Sequence, residues 1–150
     1  WFNVILIDKG EDHGLKRNMA VITEKGLVGY ITSTTRSSAK VVMITDDRSS
    51  VSAMVQRTRD HGILKGTIDP VPRGYLKMVF LPQDANLVKG DIIISSGLGG
   101  VMPKGIIIGE IVEATKEPHE LMQYAVVKPV VDFQKLEHVF VIKNQEEANP

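Results

Sequence analysis

Residues 12–23 read DHGLKRNMAVIT and residues 84–95 read DANLVKGDIIIS, the same kind of segment met twice, 72 positions apart and without a gap. Each opens on turn-forming residues and runs into a short β-branched stretch, the pattern of a strand entered from a tight turn. The likeness spreads outward. FNVILI (2–7) stands before the first copy and LKMVFL (76–81) before the second, while KGLVG (25–29) and KGIIIG (104–109) follow them. Further on, VVMITD (41–46) parallels VVKPVVD (126–132), and the apolar stretches beginning at Val51 and Val139 close each copy. Two like β modules follow from this pattern, and duplicated modules of this kind either build surfaces or hold a site between them.

Around the repeat, apolar runs are short, rich in Val and Ile, and punctuated by Gly, Pro, Asp or Asn, which predicts an all-β protein. Eleven strands are expected: near 2–7, 20–23, 27–31, 40–44, 51–56 and 63–68 in the first unit, and near 75–81, 91–95, 106–112, 123–131 and 138–143 in the second. Residues 114–122 have some helical character, but Pro118 interrupts them, so a loop with one helical turn is expected there. About six short strands per unit suit closure, because a closed barrel leaves no unpaired edge. The expected fold is therefore two small β-barrels related by internal duplication, over 1–70 and 71–143, with terminal strands free to cross between them. VPRG (71–74) marks the divide and the polar residues 144–150 form a flexible tail.

Composition narrows the function. Of 150 residues, 43% are hydrophobic and 24% charged, enough apolar content for a packed core. Eighteen basic and eighteen acidic residues cancel, so no global field attracts nucleic acid. The aromatic residues lie mostly inside apolar runs, which predicts core positions rather than a base-stacking platform. Cysteine is absent, which excludes disulfides, thiolate catalysis and cysteine-held zinc. No apolar stretch approaches the roughly 20 residues that cross a bilayer. The chain opens on Trp1 with no initiator methionine, and an anchor or targeting segment is expected upstream.

Candidate chemistry is sparse. The run SSGLGGVMPKG (95–105) has the glycines of a phosphate cradle, but Lys104 is followed by Gly105 and a β-branched run rather than by Ser or Thr and a helix. Its glycines are expected to supply positive-φ turns between two strands, with Leu98, Val101 and Met102 as an apolar loop tip offered to a partner. A double-barrel serine hydrolase would draw on His61, Asp46, Asp47, Ser95 and Ser96, yet neither serine sits in a G-x-S-x-G elbow. His13, His61, His119 and His138 fall in four separate segments without metal-ligand spacing. The polar run QRTRDHG (56–62) reads as a hairpin connection turned by a left-handed Gly62, or as a docking loop offering Arg57 and Arg59 to acidic groups. No catalytic residue, metal or cofactor is expected, and a glycan- or small-ligand-binding β module stays open beside the hydrolase.

Longer motifs are more specific. TDDRSSVSAMVQRTRDHGILKG (45–66), LPQDANLVKGD (81–91) with SSGLGGVMPKGIIIG (95–109), and VKPVVDF (127–133) with LEHVFV (136–141) together strongly resemble the rod-shape-determining protein MreC family. The resemblance runs from Trp1 to about Ile142. It implies a non-enzymatic scaffold of the bacterial cell-elongation machinery, with two β-barrel domains on the extracytoplasmic face of the cytoplasmic membrane, carried by a transmembrane helix and a coiled coil that this chain lacks. Implied partners are a class B penicillin-binding transpeptidase, the membrane protein MreD, the actin-like MreB through the membrane complex, and the protein itself as dimer or filament. No family catalytic residue is implied.

Overall fold

The computed structural model describes residues 3–68, 71–99, 102–116 and 121–143. Among them run eleven strands, β1 (Val4–Ile7), β2 (Ala20–Ile22), β3 (Leu27–Thr34), β4 (Ala39–Met43), β5 (Ser50–Val55), β6 (His61–Lys65), β7 (Leu76–Pro82), β8 (Ile92–Ser95), β9 (Ile107–Lys116), β10 (Met122–Pro129) and β11 (Phe140–Val141). Two one-turn 3-10 helices cover Glu11–His13 and Phe133–Lys135. Each strand overlaps a segment that apolar patterning marked out. Residues 114–116, expected in a loop, instead extend β9, and Pro118 with the tail 144–150 lies outside the described residues.

The strands form two antiparallel sheets. One has five strands in the order β1-β4-β3-β2-β11 and curls into a half-barrel; the other closes as β7-β10-β9-β8-β5-β6, with β6 returning to β7. The first five positions of the two orders correspond: β1, β4, β3 and β2 stand as β7, β10, β9 and β8 do, and Ala20 and Ile92 open equivalent strands 72 residues apart (92 − 20). All-β architecture with two paired units therefore holds, and the duplication seen in the residues is visible in the topology.

The fifth strand of each copy is exchanged. In chain order β5 closes the first copy and β11 the second, yet β5 pairs with β8 and β11 pairs with β2. The barrel accordingly draws on strands from both sides of the divide placed at 70/71, and that divide falls between β6 and β7, which are neighbours in one sheet. A repeat identifies copies of a segment; it carries no local mark of which sheet a strand enters. The closed unit also has β6, for which the first sheet has no counterpart, so β1 and β11 remain edges.

Packing follows the exchange. One apolar cluster fills the barrel with Val51, Ala53, Leu64, Leu76, Met78, Ile93, Ile108 and Val127, and continues into the first sheet through Ala20, Leu27 and Ile44. A second lies within the first sheet, around Val21, Val28, Ile31 and Val41, and is completed from the C-terminal end by Val131, Leu136 and Val139. The chain crosses between units at Asp46, and Gly66 lets it pass: a Cβ there would meet the Asp46 carbonyl oxygen at 1.7 Å. None of the buried hydrophobic side chains among the described residues is aromatic, contrary to the expectation that rings fill the core; Phe80 and Phe140 are exposed.

Candidate functional site

The glycine-rich connection between β8 and β9 is built as a turn. Gly97, Gly99 and Gly105 have positive φ, while the Ser95 hydroxyl donates to the Pro103 carbonyl at 2.6 Å and accepts from the Ile106 N–H at 2.9 Å. Leu98 is 58% exposed, whereas Met102 is partly buried against the barrel core; Val101 lies outside the described residues. The loop borders a depression of about 280 Å³ that it shares with Asn18, Tyr30 of β3 and Ser50 of β5.

The β5–β6 connection is held from within. Arg57 forks onto Asp91, Nε to Oδ1 at 2.7 Å and Nη2 to Oδ2 at 2.9 Å, and also donates to the Asn86 carbonyl at 2.6 Å. Asp91 is buried and accepts from the Val88 N–H as well. The Arg57 fork, aided by that N–H and opposed by burial, holds its carboxyl below the usual range. The positive φ in this connection belongs to Arg59, at 68°, and not to Gly62, which lies in β6 where a Cβ would meet the Val79 carbonyl oxygen at 2.7 Å.

Of the residues a hydrolase would need, Ser95 and Asp46 are otherwise engaged, and β5 runs between the strands that carry Ser95 and His61. Ser95 spends its hydroxyl on the glycine loop, and His61 is exposed at the start of β6, paired with Met54. Asp46 is fully buried, receiving the N–H groups of Asn3 and Arg48 and both arms of the Arg48 fork. That fork holds its carboxyl far below the ordinary range against the opposing effect of burial. Both carboxylates thus act as clamps, Asp46 where the chain passes from β4 to β5 and Asp91 between the β5–β6 connection and the start of β8. Among the described residues no group of His, Asp and Glu is arranged to hold a metal ion.

Two other concave surfaces are larger than the depression beside the glycine loop. A cleft of about 650 Å³ opens between the units, where Asn3 and Asp47 face Arg73 and Tyr75 from the β6–β7 connection, Lys128 near the end of β10 and Phe133 from the segment after it. The other is an apolar groove of about 410 Å³ on the outer face of the barrel, lined by Lys77, Val79, Phe80, Leu121, Met122, Gln123 and Tyr124. Its centre is strained. β7 and β10 slip register so that Gln123 faces Leu81 while Ala125 faces Met78, leaving Val79 and Phe80 both opposite Tyr124. At this β-bulge Phe80 takes φ 64°, a conformation that costs a bulky residue about 1–3 kcal/mol, and its ring is 60% exposed. Leu121 beside it is 88% exposed, and the Lys77 ammonium lies 4.5 Å from the centre of the Tyr124 ring.

The model of the family described as rod shape-determining protein MreC, barrel core, matches residues 1–143. The chain belongs to the MreC family. The cell shape-determining MreC of Listeria monocytogenes is 40% identical over 151 residues, spanning 99% of this chain and 50% of that protein. A solved structure of the Listeria MreC aligns with TM-score 0.87 at 38% identity, over 95% of this chain and 69% of that one. The chain thus spans about half the length of the curated MreC it matches. The major periplasmic domain of a cell shape-determining filament MreC aligns with TM-score 0.77 at 26% identity, over 88% of this chain and 80% of that one. An MreC from Helicobacter pylori, solved in complex with the penicillin-binding protein PBP2, shares the fold at TM-score 0.69 and 23% identity, over 85% of this chain and 79% of that one. MreC is a shape-determining structural family and not an enzyme family.

On this MreC fold the residues singled out from sequence do not converge: Leu98 and Met102 belong to the β8–β9 loop, Arg57 and Arg59 to the β5–β6 loop. Sequence reading passed over Phe80. Strict alternation along LKMVFLP puts Phe80 inward with Leu76 and Met78, and the bulge reverses the phase so that Leu81 is buried instead. The adjacent pair Phe80-Leu81, two large apolar residues where alternation allows one, is the signal that could have found it.

Proposed function

We propose that this chain is a non-enzymatic scaffold of the bacterial cell-elongation machinery that binds a class B penicillin-binding transpeptidase on the extracytoplasmic side of the membrane and regulates its synthesis of peptidoglycan. Family membership over residues 1–143 carries the reading. A structural relative solved in complex with PBP2 supports the choice of partner, and one described as a filament's periplasmic domain supports location and self-association. The implied links to MreD, to MreB through the membrane complex, and to an upstream membrane anchor complete the assembly.

Contact without chemistry suits what the molecule offers. Its conspicuous carboxylates are sequestered in ion pairs, while several large apolar side chains stand in solvent, the raw material of a specific interface. The loop bearing Leu98 and Met102, with Val101, and the connection bearing Arg57 and Arg59 are proposed as secondary contact surfaces for partner or self.

Biolayer interferometry against the extracytoplasmic domain of the same organism's elongation transpeptidase tests the reading. Saturable binding is expected, weakly dependent on salt because the contact is apolar. No binding at about a millimolar, equivalent to only about −4 kcal/mol, would overturn direct recognition by this chain.

A second reading, a glycan- or small-ligand-binding module, is favoured by one observation: the inter-unit cleft combines two aromatic rings with charges of both signs, and its volume falls within that of ligand sites. It predicts that soluble peptidoglycan fragments shift the amide resonances of Arg73, Tyr75 and Phe133 saturably.

A further inference from the structure

We infer that the cleft between the two units is a site for a short zwitterionic peptide, the stem peptide of peptidoglycan rather than its glycan strand, with Lys128 meeting the peptide's terminal carboxylate and Asp47 its free ammonium. The inference rests on the ligand-binding reading of the cleft above and names the ligand class.

Both strand exchanges border this cleft. Thr45 and Asp47 stand on the connection from β4 to β5, and residues 130–134 stand on the connection from β10 to β11. Through these two connections the copies trade their closing strands. The surroundings are firm: Phe133 packs against both apolar clusters, and the Asn3 N–H is held by the Asp46 carboxylate at 3.0 Å. A site resting on packed elements keeps its groups in place before the ligand arrives, which lowers the ordering cost of binding.

The charges of the cleft differ from those nearby. Asp46 is matched by Arg48 and Asp91 by Arg57, so the fold itself uses those ions. Asp47 and Lys128 are exposed, and neither closes an ion pair among the described residues. Lys128 does not bond even Glu110, which lies directly across from it in the β9–β10 register. One uncommitted carboxylate and one uncommitted ammonium on the same cleft favour a ligand with a charge of each sign. A phosphate-bearing ligand would face Asp47 and Asp132 with the wrong sign, and an uncharged sugar would displace water from both charges without returning an ion pair.

Size and polarity agree with a peptide. The cleft of about 650 Å³ lies within the range of ligand sites. Tyr75 and Phe133 are half-buried rings against which small aliphatic side chains pack. The side-chain amides of Asn3 and Gln134 and the Tyr75 hydroxyl bond no described residue, which leaves donors and acceptors for successive peptide groups. A stem peptide is short, has small apolar side chains, ends in a carboxylate and carries an ammonium on its diamino residue. It is also what a transpeptidase consumes, so the cleft would hold substrate beside the enzyme proposed above as partner.

Nuclear magnetic resonance titration of the isotope-labelled chain tests the inference. The probe is an N-acetylated stem pentapeptide with isoglutamine second and lysine third, which has one ammonium and one terminal carboxylate. Its comparators are the same peptide amidated at the C terminus, the same peptide acetylated on lysine, and the amidated disaccharide unit of the glycan strand. The peptide is expected to shift the amides of Asp47, Tyr75, Lys128 and Phe133 saturably, and the disaccharide to leave them in place. Amidation should weaken binding to wild type about threefold or more but leave binding to Lys128→Gln unchanged, and lysine acetylation should stand in the same relation to Asp47→Asn. Both substitutions fall on exposed side chains, so the melting temperature should hold. If amidation weakens wild type and Lys128→Gln alike, Lys128 does not meet the carboxylate and the inference falls. If the disaccharide binds and the peptide does not, the peptide assignment falls while the ligand-binding reading stands. If neither moves these amides at about ten millimolar, the inference and that reading fall together, and the scaffold proposal is untouched.

Discussion

A carboxylate without exposed surface stays ionised only if donors replace the water it has lost, and Asp46 has four such bonds, from Asn3 N–H, Arg48 N–H and two nitrogens of the Arg48 guanidinium. The bond from Asn3 fixes the chain just ahead of β1, and those from Arg48 shape the turn that leads into β5. Asp46→Asn keeps the shape but loses the charge, and should lower the unfolding free energy by about 2 kcal/mol in urea titrations. Because the native carboxyl is more acidic than the unfolded one, its contribution is complete above the unfolded value near pH 4 and is lost as pH falls toward the native value. Wild type should therefore lose stability more steeply than Asp46→Asn between about pH 5 and 3. Nearby, Gly66→Ala would drive a methyl into the Asp46 carbonyl at 1.7 Å and should cost enough to abolish soluble expression. Gly90→Ala has open space around its added carbon and only an unfavourable φ of 96°, so a loss near 1 kcal/mol is expected.

At the scale of elements, the β5–β6 hairpin is pinned to the start of β8 by the Arg57 fork on Asp91. Removing the fork leaves a buried carboxylate with the Val88 N–H as its remaining hydrogen bond, so Arg57→Ala should destabilise by about 2 kcal/mol, and Arg57→Lys should restore only part because an ammonium lacks the bidentate geometry. Thermal denaturation of the three proteins checks both statements. This is also the scale at which the sequence was most legible. Alternating Val and Ile between glycines and prolines located every strand, since that pattern is a property of neighbouring residues. The phase of β7 was not legible, because a bulge depends on where β10 sits, and with it went Phe80 and the candidate site. Leu98 was read correctly as an exposed apolar side chain among glycines; Met102 was not, since whether a loop residue folds back onto the core depends on what lies beneath it.

For the whole molecule, the destination of each strand was hidden although its existence was plain. Halves of the chain, cut where the sequence repeats, do not correspond to the two sheets: residues 1–70 contain β5 and β6, which the barrel needs, and residues 71–150 contain β11, which the first sheet needs. Expressed separately, each half should lack cooperative unfolding; mixed, they should form a 1:1 complex with the circular dichroism of the intact chain. Cooperative melting of either half alone would contradict this. The exchange of β5 for β11 has a further consequence when viewed as descent. Two identical modules that trade their closing strands are a domain-swapped dimer, and a dimer of separate chains dissociates on dilution. Written into one gene as a tandem repeat, the same trade becomes unimolecular, so the embrace of the two modules no longer depends on how much protein a cell makes.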